Sequence, residues 1–195
     1  MSASSSPLDR FIPLPDVRER FETTIAAPAG LVMEVASNFD MQSLPLVQAI
    51  FWLREKVMRA GHHTPRKPQG ILEETRALGW GPLAEQQGRL VVCGARCQPW
   101  LASVKFSVVA PGDFATYAEP GQVKIAWTLE ATVLGPATTR FAQETRAVAT
   151  DEEARTRFRR YWRWARFGII AIRVLILPAI RRTAEQRWAV ERNRS

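Results

Sequence analysis

Histidine and cysteine are scarce in this chain of 195 residues, which has two of each. His62 and His63 stand side by side in a proline-punctuated stretch, without the offset that structural zinc ligands use. Cys93 and Cys97 fall in an apolar run that reads as a strand. Four residues of strand span about 13 Å, whereas disulfide-bonded Cα atoms lie within about 7 Å and a zinc–sulfur bond is about 2.3 Å. The expectation is two unbridged thiols, no metal, no cofactor and no Cys–His nucleophile pair. Unbridged thiols fit a reducing cytoplasm.

Long apolar runs are missing too. The longest, residues 167–180, is broken by Arg173 and Pro178 and falls short of the roughly 18 residues needed to cross a bilayer. Residues 1–10 lack the basic start and apolar core of a secretory leader, so a cytoplasmic chain is expected, not an integral membrane protein. Lysine is thin, 4 residues against 23 arginines, a bias that GC-rich coding produces without selection for binding. Of the net charge of +8, most lies in residues 151–195, with 12 basic and 5 acidic side chains. Such a tail reads as a solvated helix face, or as a surface for peripheral contact with anionic membrane. No nucleic-acid module is matched, and nucleic acid is not an expected partner.

What is present is the composition of one globular domain, 46% hydrophobic and 24% charged. A chain of this length buries roughly 70% of its unfolded surface without disulfides or metal. Residues 1–17, rich in serine and proline, read as an N-terminal arm, and residues 18–195 as a single domain. Residues 18–27 alternate as a half-buried strand does, with Phe21, Thr23 and Ile25 on one face and Arg20, Glu22 and Thr24 on the other. Pro28 opens a helix carrying Leu31, Val32, Val35, Ala36 and Phe39 at helical spacing. A second helix is expected over residues 44–61, then a loop to Gly70. Strands are expected at residues 72–78, 89–97, 103–109 and 114–117. The clearest hairpin joins residues 123–134 to 138–149 through Gly135-Pro136. Asp151, with Glu152 and Glu153 behind it, caps a long helix expected to bend near Gly168 and before Pro178.

This order resembles the α+β helix-grip fold, in which a curved antiparallel sheet wraps a long C-terminal helix, with two short helices after the first strand. The run Phe21-Glu22-Thr23-Thr24-Ile25-Ala26-Ala27-Pro28 before an apolar helix resembles the opening of the polyketide-cyclase and START-like (SRPBCC) superfamily. Asp16-Val17-Arg18-Glu19-Arg20, Leu53-Arg54-Glu55, Glu119-Pro120-Gly121, Glu144-Thr145-Arg146, Phe158-Arg159-Arg160-Tyr161-Trp162 and Ala184-Glu185 resemble an actinobacterial subgroup of it. The resemblance implies a cavity between sheet and helix. It does not choose among the hormone binders, lipid-transfer domains, aromatase/cyclases, oxygenase subunits and chaperone activators that share the fold.

The faces read as inward carry Phe21, Thr23, Ile25, Trp127, Leu129, Phe141, Gln143 and Thr145, and Phe158 and Trp162 join them from the last helix as candidate ligand contacts. Gln143 and Thr145 would anchor a carbonyl or hydroxyl in an apolar pocket, or simply satisfy backbone groups. Glu130, Arg140, Glu144 and Arg146 fall on the opposite face, where cross-strand pairs stabilise a solvated sheet. A slip of one residue would turn Glu144 and Arg146 inward as acid/base and anion-binding groups. In the segment Phe158–Phe167, Phe158, Tyr161 or Trp162, and Ala165 form an inward stripe and the arginines point outward. The expected function is binding of a small or medium hydrophobic ligand, such as a lipid, polyketide or isoprenoid. A cyclase, aromatase or hydrolase using the same cavity, and a membrane-surface module, are the alternatives. The oligomeric state does not follow from the sequence.

Overall fold

The structure, a computed structural model, describes residues 6–40 and 70–194. The helix expected over residues 44–61 and the loop bearing His62 and His63 lie outside the described residues.

Five strands, β1 (Val17–Ile25), β2 (Gly81–Gln86), β3 (Leu90–Cys97), β4 (Val123–Gly135) and β5 (Thr138–Ala149), form one antiparallel sheet in the order β1-β5-β4-β3-β2. The β4–β5 hairpin turns where expected. Its register sets Trp127 opposite Thr145, Leu129 opposite Gln143 and Ala131 opposite Phe141, so the apolar alternation of both arms falls on one face. On β1, Phe21 faces Gln143 and Glu19 faces Thr145 across the neighbouring ladder.

Helix α1 (Ala29–Ser37) follows Pro28, α2 (Ile71–Ala77) precedes β2, and α3 (Glu152–Arg192) runs for 41 residues. An antiparallel sheet with one long C-terminal helix laid on it is the helix-grip arrangement. The Asp151 carboxylate starts α3, accepting the Ala154 amide at 2.7 Å and the amide of Gly121, a turn residue at φ 75°. The helix passes through Gly168 and Pro178 without a break. Pro178 offers no hydrogen to the Val174 carbonyl, and both residues are exposed, so water can serve the freed group.

Three expected strands are corrected. Residues 72–78 lie in and beside α2, whose Glu73 and Glu74 fill a helical first turn. Residues 103–109 meet the sheet only through a bridge between Ser107 and Arg96, and residues 114–117 form part of a turn. Strand β2 was not expected. Gly81 and Pro82 mask it, and proline is tolerated there because β2 is an edge strand.

Both faces of the sheet are covered. On one, α1 and the C-terminal half of α3 pack Val32, Met33, Ile176 and Ile180 against Ile25, Leu129 and Phe141. On the other, Leu8, Phe11 and Ile12 of the N-terminal arm join Val109 and Phe114 over Val92 and Ala126. Gly94 permits this, because a Cβ there would come within 2.7 Å of the Phe114 ring. The Phe114 and Ala115 carbonyls accept Lys124 Nζ at 3.0 and 2.7 Å.

The second covered face overturns the expected solvated sheet surface. The register is the one expected, and Glu144 and Arg146 do point away from α3, but the arm buries them at 0% and 2% exposure. Glu144 takes hydrogen bonds from Arg146 (2.7 Å), Arg18, Arg20 and Ser6 (each 2.9 Å), while Arg146 also reaches the Ile12 carbonyl at 2.8 Å and Asp9 at 2.7 Å. They are a structural network under the arm, not a charged surface and not part of the α3-facing side. Glu130 and Arg140 on the same rows are half-buried.

Candidate functional site

The side of the sheet facing α3 is sealed at its two ends. At one end lies the cluster of Ile25, Leu129 and Phe141 with α1 and Ile180. At the other, Ala154 and Phe158 of α3 close on Val123, Ala147 and Ala149. Between them the α3 side chains from Arg159 to Leu175 are half-buried or exposed, with Tyr161 and Trp162 packed against the second cluster and Ile172 against the first. The sheet presents its polar residues to this middle span: Gln143 and Thr145, with Trp127 in register beside Thr145.

Arg173 enters this middle span from the inward stripe of α3. Its NH1 donates to Gln143 Oε1 at 3.0 Å and its NH2 to Thr145 Oγ1 at 2.8 Å. The turns above and below it carry Ile169, Ile170, Ile176 and Leu177, which give the guanidinium no counter-charge. Desolvation lowers its pKa to about 10, so it remains a cation at neutral pH. Among the described residues it makes no ion pair.

Beside Arg173 a groove of about 280 Å³ opens between β1 and α3, lined by Phe21, Glu22 and Thr23 on one side and by Arg173, Val174, Leu177, Pro178 and Arg181 on the other. Of the residues expected to contact a ligand, Phe21, Thr23, Gln143 and Thr145 therefore gather around one guanidinium. Trp127, in register with Thr145, is buried in the first cluster with Ile25, Leu129 and Phe141, and Phe158 is buried in the other. Trp162 lies half-buried with its ring 5.9 Å from that of Phe158.

Two further groups share this side of the sheet. Glu19 alternates onto the row of Phe21 and Thr23 and is half-buried. Cys93, opposite Trp127, is buried, and desolvation pushes its thiol up to about 11. Neither cysteine is in a disulfide. A carboxylate, a cation and two neutral hydrogen-bonding side chains in an apolar cleft can hold and orient a polar head group.

No family model matches the chain, and no curated protein does. Solved structures are similar to it at low identity, two of them as follows. Zhui aromatase/cyclase from Streptomyces sp. R1128 is 14% identical, with 88% of this chain and 94% of that one covered and a TM-score of 0.34. A hypothetical protein from Helicobacter pylori is 13% identical over 80% and 83% of the two chains, with a TM-score of 0.31.

The residues that sequence reasoning missed are Arg173 and Glu19. The signal for Arg173 was its position as a lone charge inside a 14-residue apolar stretch. Glu19 shows by simple alternation with Phe21 and Thr23. On the outside of α3, Trp164 and Phe167 are exposed by 75% and 61% among the exposed Arg160, Arg163 and Arg166. Among the described residues no helix is long and apolar enough to cross a membrane.

Proposed function

We propose that the protein binds a small or medium hydrophobic ligand between the α3-facing side of its sheet and α3. The reading is supported by the β1–α3 groove, in whose wall Arg173 turns inward to bond Gln143 and Thr145 beside the apolar Phe21, Val174 and Leu177. Pockets of this kind use an apolar lining for affinity and a few fixed polar groups for orientation. A sheet and helix selected only for stability would fill the same positions with apolar side chains, as they do at both sealed ends. Nile red, a neutral apolar dye, tests this. The folded protein should bind it once per chain with micromolar affinity, and Trp127→Ala should change that affinity with the fold retained. Dye binding confined to the thermally unfolded chain would overturn the reading.

A second reading attaches to the outer face of α3, because Trp164 and Phe167 stand exposed among arginines, the pattern of a helix lying in an anionic membrane interface. Vesicles containing phosphatidylserine should then retain the protein at low salt and release it near 0.5 M salt, roughly where the Debye length falls below 5 Å. Equal retention by neutral vesicles would rule this reading out.

A further inference from the structure

We infer that the groove takes an amphipathic carboxylate, an apolar body with one anionic head, and that Arg173 receives the head. The inference rests on the ligand-binding reading above and adds the chemical class of the ligand.

From Ala154 to Ala184, α3 holds nine arginines and no carboxylate. Most of these arginines are exposed or paired: Arg155 meets Asp16 at 2.9 Å, Arg157 meets Glu153 at 2.5 Å, Arg181 meets Glu185 at 3.0 Å, and Arg160, Arg163, Arg166 and Arg182 point to solvent. Arg173 alone turns into the interface and bonds there to two neutral acceptors. Those bonds fix the plane of the guanidinium and occupy two of its five N–H donors, but supply no negative charge. A desolvated cation without a counter-ion is costly unless something else brings the charge. A carboxylate does so with a charge-assisted, two-pronged hydrogen bond that the planar guanidinium matches.

The surroundings define the rest of the molecule. Phe21, Val174 and Leu177 offer the head's neighbour an apolar wall along the groove, which suits an alkyl or ring body. Glu19, on the row beside Thr145, disfavours a second negative charge, so a monoanion is preferred to a phosphate monoester. Arg181 and Glu22 also line the groove, but each already has a partner of opposite charge, Glu185 at 3.0 Å for Arg181 and Arg20 at 3.5 Å for Glu22.

The test is displacement of Nile red from the full chain by decanoate, decanol and decyl phosphate, using the wild type, Arg173→Met and Arg173→Lys. In the wild type, decanoate should bind about 10- to 100-fold more tightly than decanol, the range expected for a hydrogen bond to a charged group. Decyl phosphate should bind less tightly than decanoate. Arg173→Met should bring decanoate and decanol to within about threefold, and Arg173→Lys should keep part of the preference. Each variant's melting curve shows that it is folded. Decanol matching decanoate in the wild type, or the preference surviving in Arg173→Met, overturns the inference and leaves the apolar pocket standing. Arg173-dependent binding of decyl phosphate above decanoate overturns the choice of a carboxylate. Displacement by none of the three overturns the inference and leaves the ligand-binding reading standing on the bound dye, whereas failure of Nile red to bind the folded chain overturns both.

Discussion

Glu144 and Arg146, two residues apart on β5, meet at 2.7 Å beneath the N-terminal arm, with almost no solvent reaching either. Residues i and i+2 of a strand share a face, so the pair forms without any long-range folding step. The arm then supplies the remaining partners: Ser6 to Glu144, and Asp9 and the Ile12 carbonyl to Arg146.

Breaking this pair from one side leaves a buried charge alone. Glu144→Ala is expected to cost about 3–5 kcal/mol in denaturant unfolding, whereas replacing both residues with apolar ones of similar volume should cost clearly less. Equal costs for the single and double variants would mean that the two charges do not depend on each other.

The same network sets a pH dependence. Burial alone would raise the pKa of Glu144, but hydrogen bonds from Arg146, Arg20 and Ser6 outweigh it and hold the group below its ordinary 4.5. A carboxylate depressed in the folded state contributes stability that is fully present above its unfolded pKa and is lost as the pH falls through its folded pKa. Thermal stability should therefore be flat with respect to Glu144 at neutral pH and decline below about 4.5. Asp151, held down by the Ala154 and Gly121 amides, adds to the decline. The share belonging to Glu144 is the part missing from a Glu144→Gln variant scanned over the same range.

How far all this could be read from the sequence depended on whether a local pattern had one physical meaning. The alternation around Trp127, Leu129, Phe141 and Gln143 did, and so did Asp151 ahead of two glutamates, and both gave the right element. Alternation also placed Glu144 and Arg146 on the face away from α3. It could not tell water from an arm folded back over 130 residues of chain, and the serine- and proline-rich arm has no periodicity to announce what it covers. Strand β2 was hidden by Gly81 and Pro82. Residues 72–78 were ambiguous because a short apolar segment fits either period, and the acidic first turn of α2 was the better guide. Arg173 looked like an interruption of an apolar run, since only its bonds to Gln143 and Thr145 in three dimensions show which way it turns.

Cys93 provides a check on packing beside the site. A thiol raised to about 11 by desolvation is protonated at pH 8 and covered by its neighbours, so a thiol reagent such as dithionitrobenzoate should leave it unmodified in the folded protein. In denaturant both cysteines should react, giving two thiols per chain. Rapid reaction of Cys93 in the folded state would show that the sheet beside Trp127 opens to solvent.

If a ligand occupies the space between the sheet and α3, an amide- and methyl-resolved NMR titration with decanoate should give saturable shifts of the Gln143 side-chain amide, the Thr145 methyl and the Trp127 indole, while the indole of the exposed Trp164 stays still. Shifts confined to Trp164 and Phe167, with Gln143 and Thr145 unmoved, would contradict that placement and move the binding surface to the outside of the helix.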